Sequence, residues 1–302
     1  MRTEAVRFRS GALTLSGHLR IPDAADTGAD GPRPAIVFTG PLSGVKEQVT
    51  GHYARLLAEA GFVTLAFDHR NFGASEGEPR QHEDAAGKLA DLTDALSFLA
   101  ARPEIDPDRL GACGICLGGG YALRFAAFDP RVKALACVAG GYNDPAAMRR
   151  AMGADGYRAQ LAHFASVAQR QHQTGQVEYL AAVSDDGTPA VMGGQEPFDY
   201  YGTERSASPG WVNRLSVLSI RELITTDLAG GADYISPTPL LIVHGRTDAY
   251  CSPDGAAAVY ERADEPKDLL WLDTTNHIDL YDQPRYVTPA AERAVAWFER
   301  YL

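Results

Sequence analysis

The run RLGACGICLGGGY, residues 109–121, constrains the fold more than any other stretch of this chain. A short apolar segment with strand character meets Gly114, Cys116 and Gly118 and passes straight into the amphipathic segment YALRFAAF. A strand that turns into a helix this abruptly brings the chain back across itself, and glycines are needed where a Cβ would collide. The central side chain is then pushed out over the end of the sheet, at the N-terminus of the new helix. Such an elbow needs a central strand with helices packed around it, so residues 109–121 already predict a layered α/β architecture.

The rest of the chain repeats that unit. Residues 5–9 and 13–21 alternate apolar and polar positions and predict a hairpin at a sheet edge. A polar, glycine-rich loop, PDAADTGADGPR, follows over residues 22–33. Buried strands are expected at 35–39, 62–68, 110–114, 132–138, 239–245 and 268–272. Helices are expected at 46–60, 82–101, 117–128 and 288–302. Short apolar runs alternating with helices indicate a mostly parallel sheet covered on both faces. The right-handed crossover rule makes a doubly wound arrangement the natural solution.

Between residues 141 and 235 the rhythm breaks. The segment reads as several short helices, including MRRAMGADGYRAQLAHFASVAQRQHQ, and carries the aromatic patch FDYYG and Trp211. It is too long for a structureless loop inside a compact domain. The predicted organisation is therefore a first core part at 1–140, a helical lid or cap inserted at 141–235, and a second core part at 236–302.

The 302 residues are 45% hydrophobic, enough to fill a sizeable core. A formal net charge of -11 would repel a phosphate backbone, which argues against a nucleic-acid partner. No stretch approaches the roughly 20 apolar residues of a membrane span. The N-terminal residues lack the apolar run of a secretory signal, so a cytoplasmic location is expected. The insertion suits a homodimer contact as readily as a pocket.

Cys116 is the candidate nucleophile. A helix N-terminus or a neighbouring imidazolium lowers a thiol pKa, and the thiolate attacks carbonyls well. The alternative is a buried structural cysteine in a glycine-rich turn. Cys113 and Cys116 also match C-x-x-C, but Cys113 falls inside the strand, unlike a thioredoxin-type dithiol. No second cysteine pair stands at ligand spacing, so no metal is expected. Asp248 follows the strand LLIVHG and is the candidate acid, with Asp273, Asp279 and Asp282 as rivals. His277, in DTTNHIDLYD, is the candidate base. His69 either lines the site or lies at the surface, and His244 supports local packing. The order nucleophile, acid, base suits this architecture. Backbone N–H groups of Leu117 and Leu42 are the candidate oxyanion donors, since Pro41 has none to give. Glu47 opens the helix after that loop, either as a simple helix N-terminal carboxylate or as a group approaching Cys116 to tune its protonation.

The segments GPLSGVKEQ, YARLLAEAGFVTLAFDHRNFGASEG, GICLGGGYA, PLLIVHGRTD and NHIDLYD together resemble the α/β-hydrolases, and within them the dienelactone-hydrolase-like branch. The resemblance spans the core on both sides of the insertion. It implies an eight-stranded, mostly parallel sheet, with Cys116, Asp248 and His277 as the triad. In dienelactone hydrolases a glutamate near the oxyanion loop contacts the resting thiol, and Glu47 is similar in position. Members cleave esters, lactones and thioesters without a cofactor. The expected function is thus cofactor-independent hydrolysis of a small acyl substrate through a covalent acyl-enzyme. The alternative is a non-hydrolytic reaction of a lyase, acyltransferase or cyclase on the same fold. A non-catalytic ligand-binding protein is the third reading.

Overall fold

A computed structural model describes residues 1–23 and 31–302 of the chain, so much of the predicted polar loop at 22–33 lies outside the described residues. The sheet is built from β1 (Arg2–Ser10), β2 (Leu13–Ile21), β3 (Arg33–Thr39), β4 (Val63–Phe67), β5 (Ile105–Ile115), β6 (Val132–Val138) and, after the insertion, two further strands. The insertion holds the short strands β7 (Tyr179–Leu180) and β8 (Leu215–Ser216), which pair antiparallel with each other. The core strands β9 (Leu240–Gly245) and β10 (Lys267–Leu272) follow it. The large sheet has eight strands in the order β1-β2-β4-β3-β5-β6-β9-β10. β1 and β2 form the antiparallel edge, and every pairing from β4 to β10 is parallel.

Burial follows the pattern each strand needs. The central β4 and β9 are buried at every residue, as continuous apolar runs covered on both faces should be. The edge strand β1 alternates exposed and buried positions over its second half. The covering helices of the first core part are α1 (Val49–Glu59), α2 (Ala85–Ala100) and α3 (Leu117–Ala126). Asp84 caps α2 by accepting a hydrogen bond from the Gly87 N–H, which satisfies one of the otherwise orphaned first-turn amides. In every case the expected elements are present, with ends displaced by a few residues. β5 begins at Ile105 rather than 110, because Ile105 pairs with Arg33 across a bulge.

The insertion carries several helices, in line with the reading of its sequence. Its first element, α4 (Pro145–Thr174), is two helical stretches that meet at a kink. Asp144 caps it, Pro145 occupies its first turn, and Gly175 ends it in the left-handed conformation at φ 70°. Gly153, at φ 72° and ψ 157°, interrupts the helical path, where only glycine is free of a Cβ penalty. Behind it come α5 (Gln195–Tyr201) and α6 (Val217–Thr225). A separate small core of Phe164, Val167, Val217 and Ile224 joins α4 to α6. The second core part adds α7 (Pro253–Arg262), α8 (Asp279–Asp282) and α9 (Pro284–Tyr301). No described helix is long and apolar enough to cross a membrane.

Candidate active site

The loops that follow β3, β5, β9 and β10 all leave the same end of the sheet, the C-terminal end of its parallel strands. This is where crevices form in open α/β sheets. Cys116 sits between β5 and α3 at φ 56° and ψ -130°, a strained backbone for a non-glycine residue. The neighbouring glycines make it attainable. A Cβ on Gly114 would stand 2.2 Å from the Gly118 carbonyl oxygen, and one on Gly118 would stand 2.3 Å from that of Thr39. Cys116 is anchored on both sides: its N–H donates to Val138, and its carbonyl accepts from Gly119 and Gly141.

Three of the predicted residues converge. His277 Nδ1 lies 2.6 Å from Asp248 Oδ2. The Asp248 carboxylate is held in turn by the N–H groups of Tyr250 at 2.8 Å and Cys251 at 2.7 Å. The other face of the imidazole looks toward Cys116, whose Sγ lies within 4.8 Å of a His277 ring nitrogen. The rival acids are engaged elsewhere. Asp273 is 86% exposed beside Arg246, Asp282 pairs with Arg205, and Asp279 accepts from the Thr275 backbone and hydroxyl.

Leu42 and Leu117 line the same cavity as Cys116. Leu117 is the first residue of α3, so its N–H has no intrahelical acceptor. Glu47 lies apart from the thiol's contacts: it pairs with Lys46 Nζ at 2.7 Å and accepts from the Ser208 hydroxyl of the insertion at 3.5 Å. His69 neither lines the cavity nor reaches the surface. It is buried between Thr39, at 2.8 Å, and Asp91, at 3.3 Å. Burial is the larger influence there and lowers its pKa against the pull of Asp91. His244 is also buried, with Nδ1 3.0 Å from the Gly245 carbonyl.

Two neighbours were not singled out from the sequence. Cys251 Sγ lies 3.8 Å from Cys116 Sγ, and Tyr281 Oη lies 3.0 Å from His277 Nε2. Cys251 stands three residues after Asp248 on the same loop, the one signal in the sequence that points to it. Tyr281 stands one helical turn after His277. These contacts set the charges. The strongest influence on Cys116 is the hydrogen bond from the Cys251 thiol; burial opposes it, and the His277 imidazolium adds to it. The result holds the Cys116 thiol well below its ordinary value, while the Cys251 thiol is pushed well above. Burial alone would depress His277, but the Cys116 thiolate and the Asp248 carboxylate outweigh it and raise the imidazole to about 10. Both shifts run in the direction that favours a thiolate facing an imidazolium. By contrast, burial pushes the Cys113 and Cys137 thiols up, Cys137 to about 12, and both are inert structural thiols.

Cys116, Cys251 and His277 open onto a cavity of about 350 Å³. The insertion contributes its other wall through Met192, Pro197, Tyr201 and Leu223, so most of the lining is apolar. Several polar ties join insertion to core at this mouth. Glu196 accepts from the Ile278 N–H at 2.8 Å and from Asn276 Nδ2 at 2.5 Å. Tyr250 donates to the Gly193 carbonyl at 2.8 Å.

A family model described as "Serine aminopeptidase, S33" matches residues 42–283. The uncharacterized protein PA2218 of Pseudomonas aeruginosa is 32% identical over 314 residues, covering 96% of this chain and 78% of that protein. Its crystal structure superposes with a TM-score of 0.88 and 30% identity, over 100% of this chain and 94% of that one. The polyketide transferase grgF of a Penicillium species is 29% identical over 248 residues, 82% of this chain and 81% of that protein. The crystal structure of GrgF gives a TM-score of 0.80 at 25% identity, over 100% and 99% of the two chains. The thiohydrolase aneE of Aspergillus aculeatus is 27% identical over 273 residues, 88% of this chain and 83% of that protein.

Proposed function

The chain belongs to the α/β-hydrolase superfamily, through the family described as serine aminopeptidase S33, and from that premise we propose that it is an acyl-processing enzyme with Cys116 as nucleophile. One observation carries the reading: a thiol at a strained strand-to-helix elbow faces an imidazole that is itself held by a carboxylate 2.6 Å away. Three residues acting as nucleophile, base and orienting acid are the signature of covalent acyl chemistry. A thiol at the elbow also supports membership of the dienelactone-hydrolase-like branch.

The Cys116 thiolate attacks the carbonyl carbon of an ester, lactone or thioester. The N–H groups of Leu117 and Leu42 hold the developing oxyanion. The His277 imidazolium gives its proton to the leaving oxygen or sulfur, and a thioester remains on Cys116. Asp248 keeps Nδ1 protonated and oriented throughout, so Nε2 is the atom that exchanges protons with the reactants. Neutral His277 then takes a proton from water, whose oxygen attacks the thioester, and an acid is released with the thiolate restored. Residues 141–235 act as a lid. A cavity of about 350 Å³ is near the lower end of the range for small-molecule sites, which favours a compact acyl group.

A second reading is favoured by the apolar wall that the insertion adds. With water kept out, the thioester passes to another nucleophile, as the name of the polyketide transferase relative suggests for that protein. Intact-mass analysis after brief exposure to a panel of activated acyl esters and thioesters tests the common step. A transient adduct on the wild type and none on C116A is the expected result. Wild-type turnover retained by C116A would remove covalent catalysis. A carboxylic acid as final product supports hydrolysis, and a condensed product supports transfer.

A further inference from the structure

Cys251 forms no bond to substrate and moves no proton in the acyl chemistry above, yet its sulfur reaches into the centre of the site. Together with Cys116 Sγ and a His277 ring nitrogen it forms a set of three soft ligand atoms within 4.8 Å of one another. This is the only such group of three or more histidine, cysteine or carboxylate side chains among the described residues. Local sequence spacing hides it, because Cys116 and Cys251 are 135 residues apart and meet only through the parallel sheet.

The spacing suits a tetrahedral cation. Zinc–sulfur bonds of about 2.3 Å at the tetrahedral angle hold two sulfurs about 3.8 Å apart. The two thiols stand at 3.8 Å already. His277 brings the second half of a metal site with it. A ligating imidazole usually gives its other N–H to a carboxylate, which sets the tautomer and raises ligand basicity. Asp248 Oδ2 occupies that position on Nδ1 at 2.6 Å, leaving Nε2 as the ligand atom. All three residues border the 350 Å³ cavity, which supplies the entry path. Two cysteines and one histidine with a fourth position open to water is a known zinc coordination pattern. Tyr281 Oη, 3.0 Å from Nε2, is the group that must surrender its hydrogen bond when a cation takes the nitrogen.

We propose that Cys116, Cys251 and His277 bind a soft divalent cation of the zinc class, and that occupancy silences Cys116 as a nucleophile. Binding forms two metal–sulfur bonds and one metal–nitrogen bond. It releases the Cys251 thiol proton and the Nε2 proton of His277 to solvent, and breaks no covalent bond. The bound thiolate has its lone pair committed to the cation, and the imidazole has no proton left for a leaving group. The binding part stands on ligand geometry; the silencing part rests on the proposed role of Cys116.

Cobalt(II) is the probe, added to metal-free protein under a phosphine reductant with oxygen excluded, and displaced afterwards by zinc(II). The wild type should develop sulfur-to-cobalt charge-transfer absorption with the visible bands of a tetrahedral ion. C251S should retain at most a single-thiolate band and bind far more weakly. D248N, which keeps all three ligands, should bind about 10- to 100-fold more weakly, the usual cost of losing an outer-shell partner. C113S should titrate as the wild type does. Absence of a charge-transfer band in the wild type, or a C251S titration that matches it, overturns the site. Equimolar zinc should block alkylation of Cys116, and a chelator should restore it. Alkylation that proceeds unchanged on zinc-loaded protein overturns the silencing while leaving the site. Failure of the acyl-adduct experiment on metal-free protein bears on the proposed function alone.

Discussion

Replacing Cys251 by alanine removes the strongest influence on the charge of Cys116 without touching Cys116, Asp248 or His277 themselves. The backbone N–H of residue 251 still donates to Asp248, so the acid stays in place. What disappears is the thiol that donates to the Cys116 thiolate across 3.8 Å. Hydrogen bonds to charged groups contribute about 1.5–3 kcal/mol, and a thiol is a weak donor, so the lower end applies. Since about 1.4 kcal/mol corresponds to one pKa unit, the Cys116 midpoint in C251A should rise by about one unit. C251S, which retains a donor, should rise less. The assay is the rate of Cys116 alkylation by iodoacetamide as a function of pH, with circular dichroism to verify folding. Cys113 and Cys137 do not interfere, because both are fully buried and their thiols are raised. A midpoint that stays put or falls in C251A would refute the reasoning, since it would mean that the second thiol does not stabilise the thiolate.

Three further outcomes follow from the same geometry. The proposed turnover needs the thiolate and the imidazolium together. On the proposed mechanism it should therefore hold across neutral pH, fall as pH rises through about 10 where His277 loses its proton, and fall again in acid as pH drops through the lowered Cys116 value; a rate profile on wild type checks both limbs. G118A places a Cβ 2.3 Å from the Thr39 carbonyl oxygen and should destabilise the fold by about 1–3 kcal/mol, read from urea unfolding. E196A removes the acceptor that ties the insertion to Ile278 and Asn276; hydrogen exchange at the Ile278 amide should quicken, and KM should rise more than kcat falls.

Glu196 shows how the insertion and the site depend on each other. Its carboxylate is half-buried, and burial raises its pKa above the ordinary range despite the Ile278 N–H and the His277 charge. It thus spans the mouth of the cavity from α5 to the loop that carries His277. The Tyr201–Trp211 stack, with ring centroids 5.6 Å apart, continues that wall, and Trp211 donates to the Ser43 hydroxyl at 3.4 Å. The aromatic patch legible in the sequence is therefore shared: part packs within the insertion, and Tyr201 also borders the cavity.

The sequence by itself determined what depends on neighbours along the chain. The continuous apolar runs of β3, β4, β6 and β9 demand burial on both faces, and the alternation of β1 and β2 demands an edge. The elbow is legible for the same reason, since its glycines answer to crossings within five residues of Cys116 and to the adjoining strand. Tertiary structure alone decided what depends on which loops meet. It chose Asp248 over three other aspartates, because only that carboxylate reaches the imidazole. It drew His69 into a buried polar network with Asp91 and left Glu47 with Lys46 and Ser208. It brought Cys251 to Cys116 across 135 residues of sequence. Strand and turn preferences act over a few residues, whereas charge and ligand geometry are set by whatever the folded sheet brings within a few ångströms.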